Sequence, residues 1–273
     1  MLGRLIAKIV SMLPESLVRR IGVLQRTNPW VGRVVGVVRR MIRNEDIRIE
    51  KGVGAGLRLQ TGRSNMGYVL GTSETHVQEA FKNHLKPGDV VYDIGANVGF
   101  LTVIAAKLVG PTGAVYAFEP LPANVVLLKH NVQANNFDQA VVFAVAVSNQ
   151  AGRAHLSVPA EPTEAKLIDD NEPGERIDVE VIAIDDLVAG KQMRPPNLIK
   201  MDVEGADIEV VEGMAATLRE HRPLVVCDIH VDQSEMTRVF DTLAYDLVSI
   251  DDTSVPITET PWGTTGLAIP RSE

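Results

Sequence analysis

The segment Val91-Tyr92-Asp93-Ile94-Gly95-Ala96-Asn97-Val98-Gly99-Phe100 constrains this chain more than any other. An apolar run reaches an acid, glycines and an asparagine follow, and a second apolar run opens at once. The first run has the length of a buried strand, whereas residues 98–109 have the length and flanks of a helix. The segment is therefore a strand, a tight turn and a helix. Gly95 allows the backbone to turn sharply and to approach a ligand, and Gly99 lets the helix start sit close against it.

The same rhythm runs along most of the chain. Strands are expected at 90–95, 114–119, 141–147, 198–203, 224–229, 247–251 and 266–269, and helices at 74–85, 98–109, 122–135, 206–218 and 234–243. Apolar strands alternating with helices predict an α/β, Rossmann-like fold, with a mostly parallel sheet and helices on both faces. Residues 47–59 read as a strand or hairpin. Residues 148–190 break the rhythm, because short alternating runs at 154–158 and 179–184 flank an acidic, proline-containing stretch at 161–175. That pattern predicts a hairpin with a mobile loop. No internal repeat is visible.

Charge divides the chain in two. Residues 1–43 carry nine Lys and Arg against the single acid Glu15, and the remainder carries 18 basic against 34 acidic residues. Helical stripes run through Leu2, Leu5, Ile6, Ile9, Val10 and Leu13, and through Val31, Val34, Val35, Val38, Met41 and Ile42. The reading is a basic amphipathic helical extension over 1–46 and one domain over 47–273, with a strand and helix region at 47–88 before a core at 89–273. The extension fits a cover for the domain or a partner subunit. The second reading is a peripheral membrane contact, its arginines meeting anionic lipid. An acidic body with 4% aromatics argues against nucleic acid as a partner. The lone Cys227 lies in an apolar run and forms no internal disulfide, which suits a reducing compartment. No uninterrupted apolar run is long enough to span a bilayer and no signal peptide is evident, so a cytoplasmic location is expected.

The pattern D-x-G-x-N-x-G differs from the G-x-G-x-x-G of nicotinamide-binding domains. A carboxylate at Asp93 repels a pyrophosphate, which wants bare N–H groups at a helix start. It suits a ligand with an ammonium group, such as the methionine end of S-adenosylmethionine. The next strand ends in Tyr116-Ala117-Phe118-Glu119-Pro120, which places an acid 26 residues after Asp93, where it can accept hydrogen bonds from ribose hydroxyls. Lys200-Met201-Asp202-Val203-Glu204-Gly205-Ala206 follows a later strand in the same way. Ligands bind outside the carboxyl ends of the strands in such sheets, so Asp93, Glu119, Asp202, Glu204, Asp228 and His230 should gather on one edge. Asp202 and Glu204 also suit plain capping of the following helix.

The segments VYDIGANVGFLTVIAA, VYAFEPLPANVVLLKHN and LIKMDVEGADIEVVEGM resemble the FkbM-type family of class I S-adenosylmethionine-dependent methyltransferases. The resemblance spans roughly residues 72–229. It implies a seven-stranded sheet with one antiparallel strand near its end, and cofactor contacts at Asp93, Gly95, Asn97 and Glu119. It also implies O-methylation of a hydroxyl on a small molecule, a sugar, or a glycan- or lipid-linked acceptor. Family members carry an acid and a histidine after the fifth strand, here Asp228-Ile229-His230, where Asp replaces the usual Glu. An oxygen acceptor needs its proton removed. His230 is the first candidate for that base because its ordinary pKa lies near neutrality, with Asp202 and Glu204 as alternatives. No metal is assigned, although Asp202, Asp228 and His230 would be the ligands of a metal-assisted version. A dehydrogenase, or a scaffold that keeps the fold without turnover, are the other classes weighed.

Overall fold

The computed structural model describes residues 27–42, 45–62, 67–157, 167–168 and 176–272, together with positions 17, 20 and 24. The stripe expected between Leu2 and Leu13 lies outside the described residues. The second stripe forms helix α1 (Pro29–Ile42), where Asn28 accepts the backbone N–H of Trp30 at 3.0 Å. That side-chain cap, with Pro29 as first helical residue, sets where the helix begins.

The main sheet contains seven strands in the order β12 (Tyr245–Ser249), β13 (Gly266–Pro270), β11 (Leu224–Cys227), β10 (Leu198–Met201), β3 (Val90–Ile94), β4 (Ala114–Phe118) and β5 (Ala140–Phe143). Neighbours from β11 to β5 run parallel, and β13 alone is reversed, antiparallel to both β11 and β12. The sheet is therefore the one the family resemblance implies, with its antiparallel strand next to one edge.

Every residue of β3 is buried, which is why its sequence reads as a continuous apolar run interrupted only by Asp93. Val91 packs on one face with Phe81, Val103 and Ile104, from α3 (Thr75–His84) and α4 (Phe100–Val109). Tyr92 and Ile94 pack on the other with Val210, Leu218 and Phe240, from α7 (Asp207–Glu212), α8 (Ala215–His221) and α9 (Gln233–Thr242). Each fully buried aliphatic or aromatic side chain contributes roughly 1.5–3 kcal/mol, so this strand anchors the turn that follows it. The antiparallel pair β1 (Ile47–Arg48) and β2 (Arg58–Leu59) joins the same core through Ile49, Leu57 and Leu59. Residues 47–62 thus pack as part of the domain.

Three expectations are corrected. The strand expected over 141–147 is two strands. Its first half is β5, whereas β6 (Ala146–Val147) leaves the main sheet to pair with β9 (Arg176–Ile182). The hairpin expected over 154–184 is present as β7 (Gly152–Ser157) against β9, but β8 (Leu167–Ile168) adds to β7, giving a four-stranded sheet β6-β9-β7-β8. The other residues of 161–175 lie outside the described residues. Finally, the helix expected over 206–218 breaks into α7 and α8. A Cβ on Gly213 would stand 2.0 Å from the Ser148 carbonyl, and Asp185 caps the second helix by accepting from Ala216 and Thr217 N–H at 2.9 and 2.8 Å. No helix among the described residues is long and apolar enough to cross a membrane.

Candidate active site

The turn after β3 is fixed by backbone bonds to the neighbouring strand. Gly95 and Ala96 both donate to the Phe118 carbonyl, at 3.0 and 2.9 Å. Gly95 has φ +77°, and a Cβ there would stand 1.8 Å from the Asp202 carbonyl. Glycine is therefore required to bring this turn against the loop after β10, an approach within the protein itself. Gly99 has φ +86° and faces Leu128 of α5 (Pro122–Ala134), so its role is to let α4 and α5 meet.

Glu119 closes the end of β4. Its carboxylate accepts the backbone N–H of Asn97 at 2.8 Å and of Leu121 at 2.9 Å, with the Asn124 amide at 3.4 Å. Asn97 takes a left-handed conformation, φ +51°, which presents its N–H to that acid. Burial lifts the Glu119 pKa to about 7 against those donors. A carboxylate offers about four lone-pair sites, so three donors leave capacity for more.

Asp93 is fully buried. One oxygen accepts the Thr102 hydroxyl at 2.5 Å, and the other is closed off from solvent without a hydrogen-bond partner. Burial raises its pKa, and Lys200 and Thr102 oppose that. Lys200 was not singled out from the sequence. It is buried on β10, with its ammonium 3.3 Å from the Gly95 carbonyl and from Asp202, and 4.0 Å from Asp93. Burial works against its charge, but Asp202, Asp93, Glu74 and Asp228 outweigh it and hold the pKa above lysine's ordinary value.

Glu74 was also missed. It precedes α3 in a left-handed conformation, φ 51°, ψ 41°. One of its oxygens is closed off without a partner, and burial, opposed by Lys200, lifts its pKa to about 7. An acid in that backbone region is costly and clusters at functional sites. No local pattern announces it, because only the fold brings Glu74 to Lys200.

Asp202, Glu204 and His230 come together. The imidazole Nε2 lies 3.8 Å from Asp202 Oδ1 and 3.7 Å from Glu204 Oε2, while Nδ1 faces the fully buried Asp207 at 3.8 Å. Asp207, Glu204 and Asp202 hold the imidazole pKa up to about 9 against burial. Its ordinary value near neutrality was the reason to make it the base. That shift favours the cationic form at neutral pH, with the Asp202 and Glu204 carboxylates beside it. Asp228 stands apart from this trio, accepting the Thr265 hydroxyl at 2.5 Å, with Thr265 in turn 3.0 Å from His76.

A β12-β13-β11-β10-β3-β4-β5 sheet, with the D-x-G-x-N-x-G turn on β3 and an acid ending β4, defines a Rossmann-like methyltransferase domain. The profile of the methyltransferase FkbM domain matches residues 93–248, and the chain belongs to that family. The matched domain is that of an S-adenosylmethionine-dependent methyltransferase. It is 27% identical to the 31-O-demethyl-FK506 methyltransferase FkbM of Streptomyces tacrolimicus, over 54% of this chain and 67% of that one. It is also 27% identical to the hexuronic acid methyltransferase AglP of Haloferax volcanii, over 55% of this chain and 61% of that one. The chain thus spans about two thirds or less of these relatives' lengths. Among solved structures it is similar to the methyltransferase FkbM of Methylobacillus flagellatus, with a TM-score of 0.46 and 16% identity over 74% of this chain and 52% of that one.

Proposed function

We propose that this protein methylates a hydroxyl on a small molecule, sugar or glycolipid, with S-adenosylmethionine as donor. The observation that carries this reading is the meeting of Asp202, Glu204 and His230 beside the Gly95 turn, which puts proton acceptors where an acceptor would approach the cofactor site. The two relatives, one named for 31-O-demethyl-FK506 and one for a hexuronic acid, support an oxygen acceptor of that kind.

The residues fit the cofactor. The buried oxygen of Asp93 that has no hydrogen-bond partner suits an ammonium group, and the spare lone pair of Glu119 suits ribose hydroxyls. When bound, S-adenosylmethionine supplies a sulfonium methyl group open to in-line displacement. The chain's own task is to hold acceptor and donor in line, which is worth several kcal/mol of barrier. Asp202 or Glu204 takes the hydroxyl proton, a contribution of roughly 10²–10⁴-fold.

The test is calorimetric titration with S-adenosylmethionine and S-adenosylhomocysteine, using wild type and an Asp93→Asn, Glu119→Gln variant whose fold is checked by circular dichroism. Binding by wild type that the folded variant loses supports the reading. Absence of binding by folded wild type overturns it.

We also propose that α1 meets an anionic lipid surface. Trp30, Val34, Val37 and Met41 recur at helical spacing, all exposed, with Trp30 at 71%, and exposed Arg33 and Arg40 lie beside them. Apolar side chains flanked by arginines match the interface of an anionic bilayer.

A further inference from the structure

The geometry points to a divalent-cation site formed by Asp202, Glu204 and His230, taking Mg²⁺ or Mn²⁺ and holding the acceptor hydroxyl at an open position. This rests on the proposed reading that the acceptor meets this edge of the sheet.

Three side chains from two loops supply the donors. Asp202 and Glu204 leave β10, and His230 leaves the adjacent parallel strand β11. One donor atom from each lies within 4.8 Å of the others. The Nε2 separations of 3.8 and 3.7 Å are too long for direct hydrogen bonds. They approach the spacing of ligands around a common ion, since donors about 2.1 Å from a metal stand roughly 3–3.5 Å apart.

A second observation concerns the other side of the imidazole. Asp207 is fully buried, accepts the His230 backbone N–H at 3.3 Å, and places the same oxygen 3.8 Å from Nδ1. Its remaining oxygen is closed off from solvent without a hydrogen-bond partner. A buried carboxylate behind the far nitrogen is how ligating histidines are oriented.

Local charge agrees. Glu74, Asp93, Asp202 and Asp228 surround Lys200, and Asp202, Glu204 and Asp207 surround His230. Among the described residues, Lys200 and His230 stand among these six acids, Lys200 is already engaged with Gly95, Asp202 and Asp93, and ligation at Nε2 would release the imidazole's proton. The side chains of Asp202, Glu204 and His230 are 35, 34 and 24% exposed, so the site opens outward. Three protein ligands with open positions describe a catalytic site, where a bound hydroxyl becomes more acidic. Two carboxylates and one imidazole favour Mg²⁺ or Mn²⁺ over thiophilic ions.

The test is titration of the full chain with Mn²⁺ alone, followed by calorimetry and electron paramagnetic resonance, with S-adenosylhomocysteine titrated into the same samples. One Mn²⁺ per chain is expected, with spin-echo modulation from an imidazole nitrogen. His230→Ala should weaken Mn²⁺ at least tenfold and remove the nitrogen signature. Asp202→Asn should weaken it similarly, and Glu79→Gln, an exposed acid on α3, should not. If S-adenosylhomocysteine binds but Mn²⁺ does not, the cation site is wrong and the methyltransferase reading stands. Mn²⁺ binding without the nitrogen signature, unchanged by His230→Ala, equally overturns the site. Failure of both ligands to bind folded protein removes both proposals.

Discussion

The ammonium of Lys200 stands between two acids of unlike surroundings, 4.0 Å from the fully buried Asp93 and 3.3 Å from the partly exposed Asp202. Among its described contacts Asp93 has no cation other than Lys200, and the neutral Thr102 hydroxyl donates to one of its oxygens. This single lysine therefore couples the turn after β3 to the loop after β10.

Removing the lysine should strand a buried charge. Breaking such a pair from one side costs about 3–5 kcal/mol, because the remaining ion is left uncompensated. Lys200→Met is expected to lose that much in urea unfolding, and adding Asp93→Asn should recover a large part of it. A Lys200→Met loss that Asp93→Asn leaves untouched would show that the ammonium's bonds to Gly95 and Asp202 carry the effect instead.

Glu119 should set function against stability. Its native pKa of about 7 lies above the ordinary carboxylate value, so the native state binds its proton more tightly than the unfolded chain. Below the unfolded value both states are protonated and the acid has no effect. As pH rises from about 4.5 to 7 the unfolded chain ionises while the native acid holds its proton, so stability falls by about 3 kcal/mol and stays at that lower level above pH 7. Glu119→Gln should therefore be more stable than wild type at pH 8, with the gain vanishing near pH 4.5. It should at the same time bind S-adenosylhomocysteine more weakly. Equal stability curves for the two proteins at all pH values would contradict the burial argument.

Two glycines with similar backbone angles should respond differently to alanine. Gly95, at φ +77°, would drive a Cβ to 1.8 Å from the Asp202 carbonyl, whereas Gly205, at φ +81°, faces open space. Gly205→Ala should cost only the backbone strain, about 1 kcal/mol. Gly95→Ala should cost about 3 kcal/mol or more and displace Asp202, abolishing S-adenosylhomocysteine binding. Thermal unfolding and calorimetry of the two variants check the contrast.

What the sequence makes visible depends on whether the cause is local. The β3 turn is legible because a fully buried parallel strand must be a continuous apolar run, and its exit needs glycine. The switch from β5 to β6 is not, because residues 140–147 are uniformly apolar and nothing in that run says where one sheet ends. Gly213 sits in an otherwise helical pattern, and the Ser148 carbonyl that leaves no room for a side chain there comes from a distant segment. Lys200 hides inside an apolar strand, since its partners lie in other segments. The candidate trio was foreseen as residues, but Asp207 behind His230 was not, because it reads as an ordinary first-turn acid of α7.

The exposed face of α1 gives the last prediction. Trp30, Val34, Val37 and Met41 keep between 41 and 71% of their surface exposed, so an interface that removes that surface from water gains the hydrophobic term. Arginines near an anionic surface add about 1 kcal/mol each. Arg33→Gln with Arg40→Gln should therefore weaken partition onto phosphatidylserine vesicles by roughly 30-fold at low salt. The gap should shrink as salt rises, since screening removes the same interaction in wild type. Trp30→Ala should weaken binding at every salt concentration, because its contribution is apolar. Sedimentation of full-length protein with phosphatidylserine and with neutral phosphatidylcholine vesicles separates the two effects. Equal partition of wild type and the double arginine variant would leave α1 without a role at an anionic membrane.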